Sequence, residues 1–489
     1  MHVTADDERA VIDKTPRRLY VGGQWRDAAS GRTFPVEDPS TGEVLCSVAD
    51  ATPKDALAAL AAAAQAQDEW AARPPRERGE ILQRASELMR ARIDELALLM
   101  TLEMGKPLAE SRGEVTYAAE FFRWFAEQAV RVSGRYATSP DGRSRFLISS
   151  QPVGPSVLVT PWNFPLAMGT RKIGPALAAG CTAVVKPAEQ TPLSMLALAG
   201  ILEDAGTPPG VVNLVTTSDP GAVVRALLDD GRARKLSFTG STEVGRLLMA
   251  NASTHLMRIS MELGGNAPLL VLADADLDVA VDGAMQAKMR NIGEACTAAN
   301  RIFVAEQIAD EFVERLAARM GALTVGRGTE PGVDVGPLID PPAVAKVTRL
   351  VDDAVTRGAK VVVGGAALPG AGHFYRPTVL TNVAEDSAML AEEIFGPVAP
   401  ILTFAAEDEA IARANATPYG LVSYLFSRDL DRALRVADRL EAGMVGINQG
   451  IVSNPAAPFG GVKHSGLGRE GGLEGIEEFL ETKYVATPA

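Results

Sequence analysis

Cysteine is scarce in this chain, with three among 489 residues, at positions 46, 181 and 296. Odd in number and far apart, they exclude a disulfide framework and fit a reducing compartment, the cytoplasm. The four histidines, at 2, 255, 373 and 464, have no ligand spacing, so no metal site is expected. Positive charge is in deficit, with 48 Lys and Arg against 61 Asp and Glu and a net charge of −13. That balance argues against a nucleic-acid partner and obliges any anionic substrate to find a local cationic pocket. Long apolar runs are missing: Ile173 to Val185 is too short and too rich in Gly and Pro to span a bilayer, so no membrane association is expected. The first residues are polar and acidic, without a secretory pattern. Aromatics are only 5%, and Ala-rich stretches such as Ala56 to Ala66 stand out instead.

What is present is ordinary globular composition, 47% hydrophobic and 22% charged, in a chain long enough for several domains. Residues 1–50 read as short strands and turns, and 54–130 as long helices with Ile81, Ala85, Leu88 and Met89 at helical spacing. From 151 strand and helix alternate. Apolar strands are predicted near 156–160, 182–186, 211–215 and 235–239, with helices near 194–205 and 221–228 between them. Buried parallel strands with helical crossovers make a doubly wound α/β sheet, which binds nucleotides at the carboxyl ends of its strands. A second alternation follows Gly265, with strands at 268–272 and 301–304 and helices near 275–290 and 306–320. The mixed segment 131–152 reads as a projecting hairpin, and the tail 479–485 alternates in the same manner.

Three segments carry the chemistry. Cys296 lies just before a predicted strand between small neighbours, Gly293, Ala295 and Thr297. A lone cysteine is more often a buried hydrophobe; here the open surroundings suit a nucleophile, which must be accessible and partly ionised. Glu262 ends an apolar strand and precedes Leu263-Gly264-Gly265. Solvent exposure is the plain alternative, but partial burial beside paired glycines would raise its pKa and suit a general base. Asn163 sits in Pro161-Trp162-Asn163-Phe164-Pro165, where the prolines make a rigid turn and a fixed amide can serve an oxyanion. Phe238-Thr239-Gly240-Ser241 follows a strand and opens a helix, placing Gly240 and Ser241 to meet a pyrophosphate. Lys186 and Glu189, at another strand end, suit ribose hydroxyls, and the glutamate disfavours a 2′-phosphate, so NAD is favoured with NADP possible. The literal fingerprint Gly466-Leu467-Gly468-Arg469-Glu470-Gly471 lacks a βαβ context and reads as a tight surface turn.

Together with Glu393-Ile394-Phe395-Gly396-Pro397 and Pro458-Phe459-Gly460-Gly461-Val462-Lys463, these motifs resemble the aldehyde dehydrogenase superfamily over essentially the whole chain. The resemblance implies an aldehyde dehydrogenase-like α/β fold. A Rossmann-type cofactor domain would take 1–130 and 151–262, and an α/β catalytic domain 263–442. A small β oligomerisation arm would come from 131–150 and 470–489, with a return segment at 443–469. It implies catalysis by Cys296, Glu262 and Asn163, and a cofactor site that also takes in Trp162, Leu263, Glu393 and Phe395. Within the superfamily the chain looks most like succinate-semialdehyde dehydrogenases. Arg171, Arg290 and Ser453 match that family's carboxylate-binding positions, and paired guanidinium groups would supply the cationic pocket that the net charge demands. Three positions depart from the pattern: Ala298 rules out a switch disulfide with Cys296, Glu294 stands where Gln is common, and so does His464. The implied activity is NAD(P)-dependent, non-acylating oxidation of succinate semialdehyde in a homo-oligomer, dimer or tetramer. Glutarate semialdehyde or another aliphatic aldehyde is the alternative substrate, and a non-catalytic protein on the same fold the alternative class.

Overall fold

The computed structural model of the protein describes residues 3–489; Met1 and His2 lie outside the described residues. The amino-terminal stretch is not strands alone. Helix Ala5–Lys14 precedes them, started by a reciprocal capping box between Thr4 and Asp7. The sequence reading missed it because Thr4-Ala5-Asp6-Asp7 reads as a polar tail unless the Thr and the acid three residues later are taken together. Helices Pro53–Ala72, Pro75–Ala91, Ile93–Met104 and Leu108–Ala129 follow. Ile81, Ala85 and Met89 are buried, as their spacing required.

Two large sheets organise the rest. The first has eight strands, in the order Gly466–Leu467, Arg258–Glu262, Lys235–Thr239, Ser156–Val159, Ala183–Lys186, Val212–Leu214, Leu19–Val21, Gln24–Arg26. The five central strands are parallel and fully or largely buried, which explains their unbroken apolar sequences. The second has seven strands, in the order Lys360–Val363, Thr378–Thr381, Val398–Phe404, Ala299–Ala305, Ala267–Val271, Val422–Phe426, Met444–Ile447. Leu263-Gly264-Gly265-Asn266 is the direct step from the last parallel strand of the first sheet to the first strand of the second.

The Gly466 segment is not a surface turn. Gly466 and Glu470 are buried, and Gly466–Leu467 pairs antiparallel with Met261–Glu262. Gly466 has φ +129°, and any side chain there would strike the carbonyl of Met261, so glycine is required for this close approach. Its sequence gives no strand signal because only two residues pair. A third sheet joins Arg135–Thr138, Ser144–Pro152 and Leu480–Pro488, uniting the predicted hairpin with the tail. No helix among the described residues is long and apolar enough to cross a membrane.

Candidate active site

The topology fixes where a ligand belongs. From Ser156–Val159 the chain adds two strands on one side of the first sheet, then crosses back to lay Lys235–Thr239 on the other. The crevice at that reversal opens at the carboxyl ends of these strands. There the first strand delivers Thr160-Pro161-Trp162-Asn163 and the other delivers Gly240 and Ser241. Cys296 reaches the same place from the second sheet, just before strand Ala299–Ala305. One cavity of about 240 Å³ is lined by Trp162, Asn163, Arg171, Gly240, Ser241, Glu262, Leu263, Arg290, Cys296, Glu393, Phe395 and Ser453. Of the catalytic, cofactor and substrate residues expected from the sequence, Lys186 and Glu189 are the two not on its wall.

The nucleophile loop is held tightly. Asn291 and Ile292 both have left-handed backbones, at φ +54° and +63°. For a β-branched residue this is an outlier that only surrounding contacts sustain. Those contacts are present: Asn291 N–H donates to Glu110 Oε2 at 2.9 Å, and its side-chain amide donates to the carbonyls of Asn163 and Glu294 at 3.1 and 2.9 Å. Ala295 and Ala298 pack into the core formed by the helices of residues 75–129. Gly265 passes so close that a side chain would collide with the Cys296 carbonyl. One amide hydrogen of Asn163 is committed to Glu294 O at 2.9 Å, leaving the other for the cavity. Lys106 Nζ fixes the Asn163 carbonyl at 2.8 Å and is itself bound by Glu114 at 2.5 Å. Lys106 and Glu114 were not found in the sequence, where both fall within the stretch 54–130 read only as long helices.

Charge around the thiol is the least expected feature. Cys296 is part-exposed, yet burial of its sulfur pushes the thiol up to about 12, with Glu393 and Glu262 adding to the shift against Arg171 and Arg290. Phe164, Met168 and Phe459 make the thiol's surroundings apolar, and the two guanidinium groups are what favour its ionised form there. Glu262 is buried with both carboxylate oxygens unpartnered. Burial, then the neighbouring charge of Glu470, raises its pKa well above the carboxylate range. Glu470 binds Arg171 Nε and Lys172 Nζ. Burial opposes its charge, but the two cations hold it below the usual range. Glu470 and Lys172 escaped the sequence reading because the Gly466 segment was assigned to the surface.

On the substrate side, Arg290 Nη1 donates to Ser453 Oγ at 3.2 Å and its guanidinium lies over the Phe164 ring at 4.8 Å. Arg171 stacks on Phe459 at 4.1 Å and keeps Nη2 free of any partner. On the other side, Trp162 and Phe395 meet edge to face at 5.3 Å, with Phe395 in a left-handed backbone at φ +57°. Glu393 accepts from Gly265 N–H at 3.3 Å, and burial raises its carboxyl to about 7. Lys186 Nζ bonds Glu189 at 3.0 Å, with Glu189 facing solvent. Helix Thr242–Ala252 begins at Ser241, whose hydroxyl caps Val244 N–H. Thr160 and Thr239 each leave a buried hydroxyl unpartnered at the two strand ends flanking the crevice. Orphan hydroxyls beside a helix start fit a polar dinucleotide. His464 is exposed against Arg246, 3.1 Å away.

An α/β chain whose two largely parallel sheets turn opposite strand ends toward one thiol-lined crevice is built as a dinucleotide-dependent oxidoreductase. More narrowly, it belongs to the aldehyde dehydrogenase family, whose family model matches residues 25–485. It is 59% identical over 442 residues to a succinate-semialdehyde dehydrogenase of Paenarthrobacter nicotinovorans, covering 90% of this chain and 98% of that one. It is 50% identical over 469 residues to a glutarate-semialdehyde dehydrogenase of Pseudomonas putida, covering 96% and 97%. A crystal structure described as an E. coli NADP dependent enzyme superposes with TM-score 0.96 at 48% identity, covering 97% of this chain and 98% of that one.

Proposed function

We propose that the protein oxidises succinate semialdehyde to succinate through a thioester on Cys296, with NAD(P) as the oxidant. The observation that carries the substrate class is Arg290. Among the described residues no carboxylate bonds to its guanidinium, and it is held over Phe164 and against Ser453 on the wall of the Cys296 cavity. A semialdehyde with its carbonyl at Cys296 presents its far carboxylate to that group, with Arg171 adding its free Nη2. The name of the relative in P. nicotinovorans supports the four-carbon substrate, and that of the P. putida relative keeps the five-carbon homologue as the second reading.

In this reading Glu262, with both oxygens free, takes the thiol proton as Cys296 attacks the aldehyde carbon. The second amide hydrogen of Asn163 meets the oxyanion. A nicotinamide dinucleotide, when bound, would supply the two-electron oxidant that takes the Cys296 thiohemiacetal to the thioester. Glu262, once it has passed the thiol proton to solvent, draws a second proton from the hydrolytic water, and this proton returns to the Cys296 sulfur as the acid leaves. Such a base has no purpose in an enzyme that passes the acyl group to coenzyme A. Ser241 and Gly240 would receive the pyrophosphate, Glu393 the nicotinamide-side ribose, and Trp162, Leu263 and Phe395 the cofactor's flanks. Lys186 and Glu189 would hold the adenosine ribose, and the exposed Glu189 carboxylate favours NAD over NADP. The E. coli neighbour's NADP dependence marks the second cofactor as the one to compare. The eight-stranded sheet forms the cofactor half and the seven-stranded sheet the catalytic half, while the three-stranded arm joins copies into a homo-oligomer.

The test measures NADH or NADPH formation from succinate semialdehyde and from a neutral aldehyde of similar length. Arg290→Ala should lose roughly ten- to a hundredfold in kcat/KM on succinate semialdehyde, the worth of about 1.5–3 kcal/mol for a charge-assisted hydrogen bond. The neutral aldehyde should lose far less. Equal losses on both would make Arg290 structural and remove the carboxylate from the assignment.

A further inference from the structure

Glu294, two residues before the nucleophile, has no part in the chemistry above, yet it is completely buried. Its Oε1 accepts the Ile339 N–H at 3.1 Å, while its Oε2 has no partner. Its own carbonyl receives both side-chain amides, Asn163 and Asn291, at 2.9 Å each. The residue therefore joins three things: the thiol loop, the oxyanion amide, and the backbone leading into helix Pro341–Thr356.

We propose that Glu294 is a positioning residue that works as the neutral acid, tying the Cys296 loop to Ile339, and that its ionisation ends turnover at high pH. The inference rests on the roles proposed for Cys296 and Asn163. A buried carboxylate needs several donors or a bonded cation, and Glu294 has one backbone N–H. The charged groups it faces are Asp340, at the start of that helix, and Lys106, which follows helix Ile93–Met104 and is bound by Glu114. Burial, reinforced by Asp340 and opposed by the Ile339 bond and Lys106, moves the group well above the carboxylate range. Once charged, it would put a negative group two residues from a sulfur that must become thiolate, on the residue whose own carbonyl holds the amide that must meet an oxyanion. Both are disfavoured by like charge.

Glutamine accepts the same N–H and cannot ionise. In the full-length enzyme, Glu294→Gln should match the unmodified protein within about twofold in kcat/KM at neutral pH and exceed it by about fivefold or more where the unmodified enzyme falls on the alkaline side, because its alkaline limb is gone. Glu294→Ala, which loses the Ile339 tether, should be slower at every pH but also lack the alkaline fall. Parallel pH profiles for the Gln variant and the unmodified enzyme overturn the proposal. So does an unfolded or inactive Gln variant at neutral pH, or an Ala variant equal to the unmodified enzyme throughout. Turnover by Cys296→Ala would instead sink the nucleophile assignment, whatever the Gln variant showed.

Discussion

Glu262 and Glu470 are two buried carboxyls in one charge cluster whose protons are pushed in opposite directions. Glu470 has two bonded cations; Glu262 has none, and feels Glu470 besides. Divergence of this kind assigns roles: the compensated group is a fixed anion, and the uncompensated one exchanges a proton. In the proposed reaction, hydrolysis of the thioester needs Glu262 as the carboxylate. Since its pKa is raised, that form is scarce at low pH and accumulates as pH rises through the shifted value, so kcat should climb with pH wherever deacylation limits it. Glu262→Gln should release about one equivalent of NADH in a burst and then stall, with the rise in kcat abolished. A variant with steady turnover and no burst would deny Glu262 this step. At this scale the sequence singled out side chains at or near strand ends, Glu262 ending one, Cys296 just before another and Asn163 shortly after a third, because local context restricts what can stand there. It was silent on Glu470 and Lys172, whose meaning comes from a partner 298 residues away.

Helices show the same division between local signal and distant support. Helices near 194–205, 221–228, 275–290 and 306–320 were legible between strands, but several helices after residue 150 have no side-chain cap of their own, two of them in the first sheet's half. Helix Leu193–Asp204 starts after Pro192, and helix Ala167–Ala179, which carries Arg171 and Lys172, starts after Leu166; neither residue supplies a side-chain cap. Buried acids from earlier helices take over. Glu103 accepts from Leu193 and Ser194 N–H at 2.7 and 2.8 Å, and Glu114 from Leu166 and Ala167 N–H at 3.0 and 3.1 Å. Each satisfies two orphan donors and faces the positive end of a helix dipole. No reading of Pro192-Leu193-Ser194 finds a cap supplied from 90 residues upstream. Glu103→Ala should lower stability by about 1–3 kcal/mol, measured by denaturant unfolding, because two buried N–H groups lose their acceptor. Burial outweighs those bonds and lifts the Glu103 carboxyl to about 7. A folded pKa above the unfolded one contributes stability that is complete below the usual carboxylate range and is lost as pH rises through about 7. The unmodified protein should therefore lose more stability between about pH 5 and pH 8 than Glu103→Ala does. An equal pH dependence in the two proteins would show that Glu103 does not titrate there.

For the whole molecule, the three-stranded arm is the element least explained by the chain's own packing. Residues 480–488 pair with 144–152 over nine register positions, so the carboxyl terminus closes a sheet begun more than 300 residues earlier. Sequence alternation made both pieces legible as strands; their pairing is a long-range fact, and only the family resemblance joined them. The sheet has edges on both sides, Arg135–Thr138 and Leu480–Pro488. It also exposes Tyr136 at 64%, Tyr484 at 57%, Leu147 at 49% and Val485 at 44%. Apolar side chains gathered on a thin sheet with open edges are costly in water and prone to nonspecific pairing unless a partner covers them. A second copy of the chain is the proposed cover, and the arm the proposed contact. Light scattering coupled to size exclusion should then give a multiple of the 51.5 kDa chain mass. The double variant Leu147→Glu, Tyr484→Lys puts two charges on exposed positions that make no backbone demand, so the fold should survive while the mass falls toward that of one chain. Retention of the multimer by this variant would move the interface elsewhere. A single-chain mass for the unmodified protein would remove the arm's proposed role, leaving its apolar surface to be covered by something other than a second copy.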